Sequence, residues 1–168
     1  MKRRSNNWTL PLPQTAEYAL RALAHISTLP PDQPIRAQDL SRATSVPVHY
    51  LSKVMRRLVT AGLVRAQKGH GGGFVLARAA EEISLGDVLA AGDYHPVAND
   101  RCAFGWGTCD SRHPCPLHGS FSQLKDGVQR WAQAFTLADV RNYAAEQPSL
   151  PPRAIRGGLR VRRDPPEE

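Results

Sequence analysis

The chain has 168 residues, 41% of them apolar, and 22 Lys and Arg against 15 Asp and Glu give a formal charge of +7. That length suits one ordinary core with tails. No stretch nears the ~18 consecutive apolar residues of a membrane span, and the basic start MKRR is broken by Pro11 and Pro13 before a signal-peptide core could form.

A cytoplasmic protein is therefore expected, in a compartment that keeps thiols reduced, where an odd number of cysteines points to a metal or a reactive thiol rather than to disulfides. Charge is segregated along the chain. Between 36 and 78, eight basic side chains stand against one acid, Asp39, whereas 79–149 carry five basic and nine acidic side chains. A basic block confined to one compact segment is the footprint of a polyanion site as well as of a solvated face.

Residues 1–13 are expected to be a tail, and 14–91 to form one domain. From Thr15 to Ser27, Ala16, Ala19, Leu20, Leu23 and Ile26 recur at steps of three and four, which predicts an amphipathic helix stopped by Pro30, Pro31 and Pro34. A short helix fits 36–44. After a turn at Ser45, Pro47 suits the first turn of another helix, which Gly62 ends. In that helix Leu51, Val54, Met55 and Leu58 form the buried stripe, leaving His49, Ser52, Lys53, Arg56 and Arg57 on the other side.

Two short helices joined by a tight turn, the second with a basic outer face, are what a helix-turn-helix presents to a major groove; an ordinary helical hairpin is the plainer reading. The next segment favours the first. Residues 63–68 and 74–78 read as strands joined by 69-GHGGG-73, where Gly69, Gly71, Gly72 and Gly73 allow unusual backbone angles beside His70. A hairpin carrying Arg65, Lys68 and Arg78 is a wing that can press on phosphates or enter a minor groove. The HGGG run also occurs at hydrolase oxyanion holes, but the chain lacks a Gly-x-Ser-x-Gly partner and room for the large sheet that chemistry needs.

Ser84 and Asp87 predict a capping box, with Ile83 and Val88 as a hydrophobic staple, for a short helix closing the domain at 91. Residues 92–119 form a loop rich in Gly, Pro and Asp with the spacing Cys102-x6-Cys109-x5-Cys115-x2-His118. Thiolates and an imidazole so close in sequence suit zinc or an iron-sulfur cluster, and spacing alone does not choose between them. His95 and His113 are read as solvated.

Then Leu117, Phe121, Leu124, Val128, Trp131 and Phe135 alternate at four and three residues, an a/d seam on a helix expected over 117–140. Pairing two such helices would bury the seam and give a two-fold homodimer suited to a palindromic site. Residues 141–168, rich in Pro, Gly and Arg, are expected to be a disordered basic tail.

The runs 14-QTAEYALRALAHIS-27, 46-VPVHYLSKVMRRLVTAGLVRAQKGHGGGFVLAR-78, 83-ISLGDVLAA-91 and 115-CPLHG-119 resemble the Rrf2 family of bacterial winged-helix transcription regulators. The resemblance spans about 14 to 140. It implies a mainly α fold with a small β wing, a winged helix-turn-helix domain plus a long C-terminal dimerisation helix, and no enzymatic activity.

It further implies base contacts from Pro47, His49, Ser52 and Lys53, minor-groove entry by Lys68, and a packing or phosphate role for Tyr50. Cys102, Cys109 and Cys115 match the cluster cysteines of cluster-binding members. The fourth ligand would be His118, as in one group of members, or Glu17 of the partner subunit, as in another. The expectation is a homodimeric regulator, a repressor, that binds double-stranded DNA and senses nitric oxide, redox or iron-sulfur status through a 2Fe–2S or 4Fe–4S cluster. The alternative is the same DNA-binding protein with structural zinc or no metal.

Overall fold

The computed structural model describes residues 12–95, 102 and 104–146. Six α-helices and one hairpin appear among them: α1 (Gln14–Ser27), α2 (Ala37–Thr44), α3 (Val48–Thr60), β1 (Val64–Gln67), β2 (Gly73–Leu76), α4 (Leu85–Ala91), α5 (His118–Ala134) and α6 (Leu137–Glu146), with a 3-10 turn at Ala80–Glu82 before α4.

The core forms where the apolar stripes of these elements meet. Leu23 and Ile26 of α1, Leu40 of α2, and Leu51, Met55 and Leu58 of α3 pack with Ile83, Val88 and Leu137. Each fully buried Leu or Ile contributes about 1.5–3 kcal/mol over its exposed state. Between α2 and α3 the chain turns at Ser45, left-handed with φ 55°, and the Ser41 hydroxyl donates to the Val46 carbonyl at 2.7 Å. Pro47 sits one place before its expected position, as the N-cap of α3, where its carbonyl accepts from the backbone N–H groups of Tyr50 and Leu51.

The hairpin pairs antiparallel with Val64 opposite Leu76 and Gln67 opposite Gly73. Gly69 and Gly71 have φ of 100° and 86°, which is why the tip needs glycine. Gly73 has a different reason. A Cβ there would lie 2.4 Å from the Ile35 carbonyl oxygen, because Ile35 bonds Phe74 through both backbone groups and fastens the wing to the residue preceding Arg36 and α2.

The capping box of α4 is present, with Ser84 Oγ accepting from Asp87 N–H and Asp87 accepting in return. Its staple residues Ile83 and Val88 are both fully buried.

Where one helix is expected over 117–140, two are found. Phe135 is extended, its carbonyl accepts from Leu85 N–H, and Leu137 N–H donates to the Ile83 carbonyl, so the chain runs antiparallel to the start of α4 and leaves the α5 axis. Thr136 then opens α6: its N–H donates to Asp139 Oδ2 at 2.7 Å, and Asp139 N–H donates back to its hydroxyl oxygen. The first residues of the expected tail, 141–146, are therefore helical. The remainder of that tail, 147–168, and residues 1–11 of the expected N-terminal one lie outside the described residues. Among the described residues no helix is long and apolar enough to cross a membrane.

Candidate DNA interface and metal centre

With 3.6 residues per turn, His49, Lys53, Arg56 and Thr60 at steps of four, three and four fall along one line on α3, opposite the buried stripe, and all are exposed. Ser52 lies beside them, its hydroxyl donating to the Val48 carbonyl at 2.9 Å. Near the start of α3 the Tyr50 ring lies tilted against His49 at 4.3 Å and against Tyr18 of α1 at 5.9 Å, which holds this end of the helix against the domain. Pro47 is exposed at the same end. On the wing, Lys68 and His70 are exposed at the open glycine tip.

Ion pairing sorts the basic block. Arg42 pairs with Asp39, Arg57 with Asp93, Arg65 with Asp32 and Arg78 with Asp87. Lys53, Arg56, Lys68 and Arg36 have no acidic partner among the described residues, and all four are exposed. Arg36, counted in the basic block and placed at the start of the predicted 36–44 helix, was not among the expected DNA contacts; its place beside the wing follows only from the Ile35–Phe74 bridge. Arg57, grouped in the sequence with the outer face, instead stands on the flank of α3 beside Asp93.

The cysteine segment closes around a cavity of about 140 Å³ whose lining includes Cys102, Cys109, Cys115 and His118. Cys102 is buried, and the other two cysteines are half-buried. Proline and glycine shape this wall. Gly105 and Gly107 have φ of 74° and 92°, and the Cys102 N–H donates to the Gly107 carbonyl at 2.9 Å. His118 is the first residue of α5, its N–H donating to the Cys115 carbonyl, and its Nδ1 lies 3.2 Å from Cys109 Sγ. Backbone hydrogen bonding at Phe104, then at Trp106, and the Cys115 thiol hold the Cys102 thiol below its ordinary value, against the opposing effect of burial. A sulfur in this setting favours the thiolate that metals bind.

Among the described residues no three Cys, His, Asp or Glu side chains converge on one point where a single ion would sit. The four donors line a cavity instead. His113 and Asp110 stand on the same wall, 3.4 Å apart. Glu17, in the first turn of α1, is ion-paired with Arg21 of its own helix.

The model of the Rrf2 family, described as an iron-dependent transcriptional regulator, matches residues 12–143. The regulator IscR of Cronobacter sakazakii is 29% identical over 131 residues, which cover 78% of this chain and 80% of that protein. Among solved structures, CymR (YrzC), the global cysteine regulator of B. subtilis, superposes with a TM-score of 0.67 at 20% identity, covering 80% of this chain and 98% of CymR. T. potens IscR superposes with 0.66 at 20% identity, covering 82% and 90%. With a helix-turn-helix, a wing and a family match from residue 12 into α6, the chain belongs to the Rrf2 family and is a DNA-binding transcriptional regulator rather than an enzyme.

Proposed function

We propose that this chain works as a homodimeric repressor of palindromic promoter sites whose DNA affinity responds to an iron-sulfur cluster held by Cys102, Cys109, Cys115 and His118. One observation carries the reading: three thiols and an imidazole line a single cavity at the start of α5. Zinc needs its donors on a sphere with Zn–S bonds of about 2.3 Å. A cluster takes three thiolates and a fourth donor from one loop, the donor set that lines this cavity.

His118 is preferred over Glu17 as the fourth ligand because it already lines the cavity, whereas Glu17 is engaged by Arg21. When bound, the group supplies a redox-active centre. The protein's part is to hold three thiolates, one of them favoured by backbone hydrogen bonds, and to place them at the N-terminal end of the helix that carries the dimer seam. Redox poise, nitric oxide or iron-sulfur supply would then be read out as a change in the packing of α5.

On the DNA side, His49, Ser52, Lys53 and Arg56 face the major groove with Pro47 and Tyr50 at the helix start, and Lys68 of the 69–73 wing reaches the minor groove. The deciding measurement is an absorbance spectrum with iron and sulfide assays on protein purified without oxygen. The expected result is visible absorbance with iron matched by sulfide, lost in Cys109→Ala. A colourless protein with one zinc per chain would make the cavity a structural site, and a metal-free one would end the sensor reading.

A further inference from the structure

Among the described residues Arg57 is the one basic side chain of α3 that a carboxylate holds: its Nη1 lies 3.3 Å from Asp93 Oδ2. Asp93 does not reach it by chance. Its backbone is left-handed, φ 67°, and its N–H donates to the Ala90 carbonyl, closing the end of α4. The preceding Gly92 is wedged against α1, where a Cβ would lie 2.4 Å from the Ala16 Cα. The following Tyr94 packs on Ala16, Leu89 and Ala132, from α1, α4 and α5. The carboxylate is thus placed by the junction of three helices, and the same residues open the segment leading to Cys102.

The flanks of a helix lying in a major groove face the sugar-phosphate walls, and an Arg there is placed for phosphate. Arg57 stands on such a flank, about 100° round the helix from Arg56. A groove of about 360 Å³ lined by Arg56, Arg57, Thr60, Ala61, Ala91 and Asp93 leaves it space to swing. Asp93 is 70% exposed, so the pair is a hydrated surface contact that a shift of the junction can open.

We infer that Asp93 is an autoinhibitory counter-ion that withholds Arg57 from the DNA backbone, and that a shift of the α1–α4–α5 junction, by freeing Arg57, adds a phosphate contact. This rests on the docking of α3 proposed above.

The test is the salt dependence of binding to a mixed-sequence duplex, followed by fluorescence anisotropy, for the parent, Asp93→Asn, Arg57→Ala and the double variant. Asn accepts the left-handed backbone at least as well as Asp, so the fold is kept. Asp93→Asn is expected to steepen the slope by about 0.9 and tighten binding roughly eightfold near 0.1 M salt. Arg57→Ala alone is expected to change neither, and to cancel the gain in the double variant.

A gain that persists without Arg57 would reduce Asp93 to a general charge effect and overturn the inference. So would an unchanged Asp93→Asn slope while Lys53→Ala still lowers it. If Lys53→Ala and Lys68→Ala were also without effect, the docking of α3 itself would fall.

Discussion

At the scale of single residues, what separates a cation available for the proposed DNA contact from a committed one is its counter-ion. Lys53, Arg56, Lys68 and Arg36 carry uncompensated charge among the described residues, whereas Arg65 is held by Asp32 and Arg78 by Asp87. Lys53→Ala and Lys68→Ala are each expected to lower the salt slope of DNA binding by about 0.9, and Arg65→Ala to leave it unchanged. A slope that falls equally for all three would mean that a diffuse positive field, not placed contacts, attracts the DNA. The basic block was legible as a count of charges. Which members of it are free was not, because Asp32, Asp87 and Asp93 come from other parts of the chain.

At the scale of elements, caps and glycines decide where the chain turns. The a/d seam reads as one helix through 140, yet 136-TLAD-139 is itself a capping box, a start signal that stops the preceding helix. Donation from the Thr136 N–H, then from its hydroxyl, holds the Asp139 carboxyl below its ordinary value. A lowered value in the fold means that the contribution is present above the ordinary carboxylate range and is lost as pH falls through the lowered one. Thr136→Ala is expected to lower Tm by about 2–4 °C at neutral pH, with the gap narrowing in acid to what the Asp139 N–H bond to the Thr136 hydroxyl contributes; a gap that stays constant in acid would show that the carboxylate is not what the cap uses. The wing is equally conditional, since Gly73 has to let the Ile35 backbone approach.

At the scale of the whole molecule, α5 remains half-used. Of its side chains only Ala132 is fully buried, while Leu124 and Trp131 remain 53% and 39% exposed and Leu117 and Phe135 continue the exposed ridge beyond its two ends. An exposed apolar ridge marks an association surface, and in the homodimer proposed above a second α5 would cover it. Leu124→Glu is expected to give a monomer by sedimentation with unchanged helical circular dichroism, and to lose most affinity for a palindromic duplex, since two half-sites no longer act together. A variant that stays dimeric would move the interface elsewhere.

Local chemistry was enough for much of this protein. Apolar periodicity marks α1, α3 and α5, Ser84 and Asp87 mark the start of α4, the glycines mark the wing tip, and the thiols and His118 are close enough in sequence to share a cavity. These features depend on residues within a turn or two of one another, or within one loop, and such spacing is written directly in the chain. The tertiary structure decided what depends on partners far apart in sequence: the bridge from Ile35 to the wing, the return of α6 across α1, and the ion pairs that, among the described residues, leave Lys53, Arg56 and Lys68 uncompensated while holding Arg57 at Asp93. A side chain's type and its neighbours along the chain set which element it joins; which opposite charge or backbone it meets is set only when the elements pack.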